Sequence, residues 1–290
     1  MGIGGIASVL AGEVLHQVWP ARCAGCDEVL ERERQIFCEI CAEALNPIGR
    51  ACASCASPLT DCPEVGGGHR AIHGCPACLS STFTFSRAFA GFEYGASLAS
   101  ALVRMKHGDR PDLAPRLARL LAAPLWQAIS PGGSPGAAGG GAGHERPSIP
   151  LADLVVPVPL HPRKLRRRGF NQALALACGA LRARPHPVPR GSGRPRLERD
   201  LLRRVRDTPE LGRQGPGARR AQVAGAFAVA DPRRVHGLRF VIVDDVMTTG
   251  ATLDACGEAL LEAGAKEVRV VALARAVSSI SSVLNTSAPR

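Results

Sequence analysis

The stretch Phe240-Val-Ile-Val-Asp-Asp-Val-Met-Thr-Thr-Gly-Ala-Thr252 decides the fold of this 290-residue chain. It begins with an apolar run typical of a buried parallel strand, passes through two adjacent carboxylates, and ends in a loop of small and hydroxyl residues that opens a helix. In open α/β sheets, ligands bind beyond the carboxyl ends of the strands. Backbone N–H groups at a helix N-terminus suit a phosphate, and Gly250 permits a positive φ. The pattern therefore predicts a site for a sugar phosphate.

The rest of the chain is consistent with an α/β fold built around this stretch. Apolar strands are predicted at 154–159, 239–243 and 267–273, and helices at 171–184 and 251–263. Strands that alternate with helices in this way indicate a parallel sheet flanked by helices. If the strand ends at Val243, then Asp244 and Asp245 lie at its end, outside the core, and their loss should cost little stability.

The segments before this half of the chain are more varied. The patterns predict an amphipathic helix at 3–18, a strand or hairpin at 81–94, and helices at 96–106 and 112–129. Two Gly/Pro-rich stretches, at about 130–150 and 185–197, are predicted to be flexible insertions. We expect residues 1–80 to form a small module and residues 81–290 to form the main domain.

Nine of the eleven cysteines lie between positions 23 and 78, and eight of them form four C-x-x-C pairs. Two thiolates with this spacing can bind one tetrahedral ion, so the pairs predict a zinc-ribbon module with one or two zinc ions. Sequential pairing is simplest, and crossed pairing is an alternative. Cys62, His69 and His73 lie in the longest gap between pairs and are alternative ligands, but we expect each of them to be a loop residue. A four-cysteine site is closed, which indicates a structural role. The predicted ligands are Cys23, Cys26, Cys38, Cys41, Cys52, Cys55, Cys75 and Cys78.

The charge of the chain is concentrated in one region. The formal net charge is +11, and residues 151–220 alone carry +12. A localised excess indicates anionic partners, although an arginine-rich genome composition would also produce it. No run of eighteen apolar residues occurs, and residues 1–15 lack a basic start. We therefore expect no membrane insertion, no signal peptide and a cytoplasmic location.

The stretch from Phe240 to Thr252 resembles the phosphoribosyl pyrophosphate (PRPP) motif of type I phosphoribosyltransferases. That resemblance implies that PRPP binds together with Mg²⁺, and that two carboxylates hold the ribose hydroxyls while the loop holds the 5-phosphate. The implied carboxylates are Asp244 and Asp245, and the implied loop residues are Thr248, Thr249, Gly250, Ala251 and Thr252.

A larger part of the chain, from about residue 20 to 275, resembles the ComF (competence protein F) family. The resemblance is carried by the C-x-x-C pairs and by the motifs at 104–108, 156–161, 168–172, 225–227 and 272–275. One departure is Gln222, where the family usually has asparagine. The family implies a phosphoribosyltransferase domain with an N-terminal double zinc ribbon, and a link to DNA uptake.

The superfamily also implies where the pyrophosphate lies. The loop after the first sheet strand contacts it in that superfamily, and here this loop leads into a run of arginines that suits phosphates. The alternative is a basic run that faces nucleic acid or solvent. Residues 190–220 occupy the place of the superfamily's flexible catalytic loop. The candidate pyrophosphate residues are Pro157, Val158, Pro159, Leu160, Arg163 and Arg168.

Three functions are consistent with these features. The first is a Mg²⁺-dependent enzyme that transfers phosphoribosyl to an unknown acceptor. The second is a module that binds single-stranded DNA alongside other DNA-uptake proteins, and the third is a sensor that binds PRPP without turnover. Purine-using relatives often have a carboxylate where Thr248 stands, so the loop offers no general base and no catalytic residue is assigned.

Overall fold

A computed structural model describes residues 20–59, 75, 82–107, 110–130, 152–183, 195–208 and 216–277. The predicted helix at 3–18, the boundary at residue 80 and the stretches 131–150 and 185–194 lie outside these residues. The described elements in chain order are α1 (Glu39–Glu43), β1 (Arg87–Glu93), α2 (Ala96–His107), α3 (Leu113–Ile129), β2 (Leu154–Pro157), α4 (Pro162–Arg168), α5 (Gln172–Arg182), β3 (Arg196–Leu197), β4 (Leu202–Arg204), α6 (Pro216–Val223), β5 (Phe227–Val229), a 3₁₀ turn (Pro232–Arg234), β6 (Arg239–Met247), α7 (Ala251–Glu262) and β7 (Glu267–Arg275).

Five strands form one parallel sheet in the order β1-β7-β6-β2-β3. Strands β4 and β5 form a separate antiparallel pair. The predicted fold class, a parallel sheet flanked by helices with a cysteine-rich N-terminal region, is confirmed.

Alternate residues of β6 face opposite sides of the sheet, as the pleat requires. Val241 and Val243 pack with α2, α3 and α5, whereas Phe240 and Ile242 pack with α7 and the β4–β5 pair. The cysteine-rich region contributes to both sides, because Cys23 and Cys41 lie in the first apolar cluster and Cys52 and Cys55 lie in the second. The described part of this region therefore packs against both faces of the sheet.

The same region also covers an edge of the sheet. The N–H of Ile48 donates to the carbonyl of Gly91 (2.9 Å), and the N–H of Glu93 donates to the carbonyl of Asn46 (2.8 Å). Farther along β1, the N–H of Ala88 donates to a carbonyl in the second cysteine-containing turn, at position 53 (2.9 Å). These contacts satisfy backbone groups that an edge strand would otherwise expose.

The predicted strands differ in length from the observed ones. The strand or hairpin predicted at 81–94 is the strand β1 (Arg87–Glu93), and the strand predicted at 267–273 continues to Arg275. The strand predicted at 154–159 ends at Pro157, the last residue in register with β6, although the N–H of Val158 still donates to the carbonyl of Val243 (2.9 Å). The strand predicted at 239–243 continues to Met247, because β7 pairs with it over this whole length.

The segments predicted to be loops contain some regular structure. Arg196 and Leu197, inside the insertion predicted at 185–197, form the edge strand β3. The stretch compared with a flexible catalytic loop contains β4 and the start of α6. Among the described helices, none combines the length and the apolar character that crossing a bilayer requires.

Candidate functional site

A cavity of about 270 Å³ opens at the carboxyl ends of β2 and β6. These strands are neighbours, and the helices that follow them, α5 and α7, pack on opposite faces of the sheet. This is the position at which open α/β sheets bind ligands. The cavity is lined by Lys106, His107, Val158, Leu160, Lys164, Arg168, Asn171, Gln172, Ala173, Arg204, Asp244, Asp245 and Thr252.

The two adjacent carboxylates lie inside β6 rather than beyond its end, so the expectation that they lie outside the core is wrong for Asp245. Its residue is only 7% exposed, and its Oδ2 lies 2.5 Å from the Nζ of Lys106 on α2. Asp244 is the preceding residue of the strand, so its side chain projects to the opposite face of the sheet. Its Oδ1 accepts a hydrogen bond from the N–H of Asp245 (2.9 Å). Both carboxylates reach the cavity from a strand that is otherwise apolar.

The electrostatics of this pair depend on burial and on one lysine. Burial, together with the neighbouring Asp245 charge, raises the pKa of Asp244 to about 7, although Lys106 acts in the other direction. Burial alone would lower the pKa of Lys106, but the Asp245 carboxylate outweighs it and the pKa is raised. Lys106 is therefore the compensating charge that allows a carboxylate to be buried at this strand.

The phosphate-loop candidates, residues 248–252, come directly after β6 in the chain. Gly250 has φ +81°, and a Cβ at this position would lie 2.9 Å from Met247 Cε and 3.0 Å from Phe83 Cε1. The conformation and the space both require glycine. Helix α7 begins at the next residue, and Thr249 Oγ1 accepts a hydrogen bond from the N–H of Ala251 (3.4 Å). Of the loop residues, Thr252 lines the cavity, and Thr248 is exposed to solvent.

The pyrophosphate candidates divide into two sets. Val158, Leu160 and Arg168 line the cavity, whereas the Arg163 side chain is 75% exposed and lies 3.8 Å from a carboxylate oxygen of Asp207. Pro157 ends β2 and Pro159 is buried beside it; neither is among the lining residues.

Several lining residues had no role assigned from the sequence. Asn171 fixes the local geometry: its side chain caps α5 by accepting from Leu174 N–H (3.2 Å) and donates to the carbonyl of Val158 (3.0 Å). The motifs at 104–108 and 168–172 contributed to the family resemblance, but nothing in their spacing placed them at the carboxylates. The residues without an assigned role are Lys106, His107, Asn171, Gln172 and Ala173, whereas Lys164 belongs to the basic run expected to face the pyrophosphate and Arg204 to the basic segment expected to meet nucleic acid.

The cysteines form two groups that follow the sequential pairing. The sulfur atoms of each group lie within 4.8 Å of one another. A tetrahedral ion with Zn–S bonds of about 2.3 Å separates its sulfurs by roughly 3.8 Å. The observed separations are 3.7 Å between Cys26 and Cys38 and 3.5 Å between Cys55 and Cys75, so both groups fit a zinc ion. The first group is Cys23, Cys26, Cys38 and Cys41, and the second is Cys52, Cys55 and Cys75; Cys78, Cys62, His69 and His73 lie outside the described residues.

The first cysteine group is attached to the helices by arginines. Arg104 on α2 donates to the carbonyls of Cys23 (3.2 Å) and Ala24 (3.3 Å). Arg116 on α3 donates to carbonyls at positions 22 (2.7 Å) and 35 (2.8 Å). Because Arg104 and Lys106 lie on the same helix, α2 connects this group to the carboxylates of the cavity.

The fold and the cavity define a phosphoribosyltransferase-type domain, and residues 199–285 match the family described as phosphoribosyl transferase domain. The chain is 30% identical over 256 residues to the DNA utilization protein YhgH of Salmonella typhi, which covers 88% of this chain and 97% of that protein. The YhgH protein of Escherichia coli strain K12 is 28% identical with the same coverage. Competence protein F of Haemophilus influenzae is 33% identical over 129 residues, 44% of this chain and 52% of that protein. The chain belongs to the ComF family of phosphoribosyltransferase-domain proteins.

Replacing Lys106 tests the buried ion pair. Lys106→Met leaves the Asp245 charge without its partner, so we expect the free energy of unfolding to fall by about 3 kcal/mol. Adding Asp245→Asn removes that charge and should recover part of the loss, as a double-mutant cycle in urea would measure. The exposed Lys266→Met is the control and should change stability by less than about 0.5 kcal/mol. Strictly additive losses from Lys106→Met and Asp245→Asn would contradict the pairing.

Proposed function

We propose that this protein binds PRPP with Mg²⁺ and transfers its phosphoribosyl group to an acceptor. The proposal depends on what surrounds one cavity at the carboxyl ends of β2 and β6. Two carboxylates lie there, together with a loop that turns at Gly250 and leads into a 12-residue helix. The match to the phosphoribosyl transferase domain includes β6, this loop and α7.

The proposed ligand consists of a ribose, a 5-phosphate and a pyrophosphate, and we assign residues of the site to each of them. The carboxylates of Asp244 and Asp245 accept hydrogen bonds from the two ribose hydroxyls. The N–H groups of residues 248–252 hold the 5-phosphate at the start of α7. Lys164, Arg168 and Arg204 line the cavity and supply positive charge for the pyrophosphate. Mg²⁺ would neutralise part of the charge on the pyrophosphate and on the carboxylates that face it.

In the proposed reaction, a nucleophilic atom of the acceptor bonds to ribose C1 while the bond from C1 to the pyrophosphate oxygen breaks. The cationic lining stabilises the charge that develops on the departing pyrophosphate. The described lining contains no carboxylate besides the two assigned to the ribose, so His107 is the remaining candidate there for a general base.

Zinc in the two cysteine groups is the second element of the proposal. Four thiolates close the coordination sphere of the first group, so its ion would have no position for a substrate and would stabilise the fold. Because the described part of the cysteine-rich region packs on both faces of the sheet, we propose that it acts as a structural part of the main domain.

Single-stranded DNA is a second candidate ligand, and an exposed basic rim favours it. On α4, Arg163 and Arg166 are exposed, and Arg203 is exposed on β4. These elements are joined, because Lys164 Nζ donates to the carbonyl of Thr208 at 2.8 Å. Some relatives are named for DNA utilization and one for competence, so we include cytoplasmic DNA uptake, with other uptake proteins as partners, in the proposal.

Neutralising the carboxylates tests the PRPP site. We expect Asp244→Asn with Asp245→Asn to weaken Mg²⁺-dependent PRPP binding by at least about 100-fold, since each charge-assisted hydrogen bond contributes about 1.5–3 kcal/mol. Titration calorimetry with and without Mg²⁺ measures this effect. Asparagine keeps the shape of the buried side chain, and Glu262→Gln, exposed at the other end of α7, is the control. Wild-type affinity in the double variant would refute the assignment.

Metal analysis tests the cysteine groups. Protein produced with zinc should contain about two ions per chain, and Cys26→Ser should reduce the content toward one. Cys178→Ser, a cysteine on α5 outside both groups, should leave the content unchanged. Chelation should lower the melting temperature. A zinc content near zero in the wild-type protein would show that the groups do not hold this metal.

Substitutions on the exposed rim and substitutions in the cavity should affect DNA binding and PRPP binding differently. A rim that neutralises about 5 phosphates of a single strand gives a log–log salt slope of about −3.5. Replacing Arg163, Arg166 and Arg203 with alanine should make that slope shallower and leave PRPP affinity near wild type. Replacing Arg168 and Arg204, which line the cavity, should mainly weaken PRPP binding. Fluorescence anisotropy with a labelled oligonucleotide measures the slope, and no binding at low salt would exclude DNA as a direct ligand.

A further inference from the structure

Arg275, the last residue of β7, lies behind the phosphate loop and is only 8% exposed. It is paired in register with Met247, the last residue of β6. Its Nε donates to the carbonyl of Cys55 (2.7 Å), and its Nη1 donates to the carbonyls of Met247 (3.2 Å) and Thr248. One guanidinium thus joins the second cysteine group to the first residues of the loop.

The Arg275 guanidinium is a buried charge whose hydrogen-bond acceptors are backbone carbonyls rather than carboxylates. Each hydrogen bond that Arg275 makes in the described structure goes to a backbone carbonyl, including that of Ala276 (2.5 Å), and none of its described partners is a carboxylate. A planar fork of donors at fixed spacing can hold carbonyls from separate segments in one arrangement, whereas a lysine has three rotatable donors on a flexible stem. The geometry therefore depends on the fork as well as on the charge.

Fixing these carbonyls also fixes the N–H groups of the loop. In a planar trans peptide, the C=O and the N–H point in opposite directions. The Met247 carbonyl also accepts a hydrogen bond from the backbone N–H of Ala276 (2.9 Å), so the contribution of the Arg275 side chain is greatest at the Thr248 carbonyl. When both carbonyls point back to Arg275, the N–H groups of Thr248 and Thr249 point away from it. Those N–H groups lie in the loop that we propose to hold the 5-phosphate.

The other end of the connection depends on the conformation of the cysteine turn. The N–H of Cys52 donates to the carbonyl of Ser57 (2.9 Å), and the N–H of Ala56 donates to the carbonyl of Cys52 (2.8 Å). Ala56 is buried with φ +54°, a conformation that residues other than glycine adopt at a cost. A metal bound by the adjacent sulfurs would hold this turn, and with it the carbonyl of Cys55, in place.

We propose that Arg275 is a positioning residue that couples metal binding in the second cysteine group to the phosphate loop. The proposal rests on the proposed function in that it takes the loop to bind phosphate. With the metal bound, the turn presents the Cys55 carbonyl, Arg275 is held, and the loop N–H groups are set for the ligand. Binding free energies are reciprocal, so ligand on the loop also stabilises metal in that group.

The first test compares full-length Arg275→Gln and Arg275→Lys with Arg116→Gln. Arg116 is a matched control because it also donates to backbone carbonyls beside a cysteine group, but to the first one. Hydrogen exchange of the peptide at 244–256, without ligand, reports the loop directly. We expect faster exchange in Arg275→Gln, a smaller increase in Arg275→Lys, and wild-type exchange in Arg116→Gln.

The second test uses PRPP as the probe. Arg275→Gln should lose at least about 10-fold in affinity, and Arg116→Gln should retain affinity at a comparable melting temperature. No PRPP binding by the wild type would refute the proposed function, whereas unchanged loop exchange in Arg275→Gln would refute the positioning role. Equal loop effects in both glutamine variants would also refute it.

A third test needs no substitution, so it applies even if Arg275→Gln fails to fold. Zinc release from the wild-type protein to a chromophoric chelator should occur in two phases. Saturating PRPP should slow one phase by at least about 5-fold and leave the other unchanged. Equal rates with and without PRPP, in protein that binds PRPP, would overturn the coupling.

Discussion

The ion pair between Lys106 and Asp245 is the interaction on which the cavity depends. Strand β6 is buried on both faces, and a carboxylate inside it is tolerated only with a compensating charge. That charge comes from α2, whose Arg104 also contacts the first cysteine group. The helix must therefore lie where both contacts can form, and this fixes the part of the cavity wall that Lys106 and His107 line. The proposed sugar-phosphate site and the packing of the domain thus share the same few side chains.

The sequence predicted the parallel sheet and the cysteine groups well because both have short-range signals. The apolar run before Asp244 and the C-x-x-C spacing are readable without knowledge of tertiary contacts. The end of β6 was misplaced because the pattern of apolar residues stops at Val243, whereas pairing with β7 continues to Met247. Helix α4 was not predicted from the sequence, because it has no buried residue and therefore no periodic pattern of apolar residues. It begins at Pro162, and the side chain of His161 caps it.

Long-range contacts account for the remaining part of the site. Lys106 and Asp245 are far apart in the chain, and no local pattern indicates that a lysine in the last turn of α2 will meet that carboxylate. The same is true of Arg275, whose terminal position on β7 reads as an ordinary strand end. In both cases the motif was visible and the contact was not. Motifs identify which residues matter to a fold family, and the tertiary structure identifies the partner that each one serves.

The cover over strand β1 has a consequence for how this protein can be divided. Residues 46–53 hydrogen-bond to the outer side of that strand at three points. A fragment that began after residue 53 would contain the matched transferase segment and all five strands of the sheet, yet it would expose an open strand edge. Such edges pair with copies of themselves, so the fragment would be prone to aggregate during expression. By covering this strand edge, the cysteine-rich segment would protect the phosphoribosyltransferase-type domain from self-association.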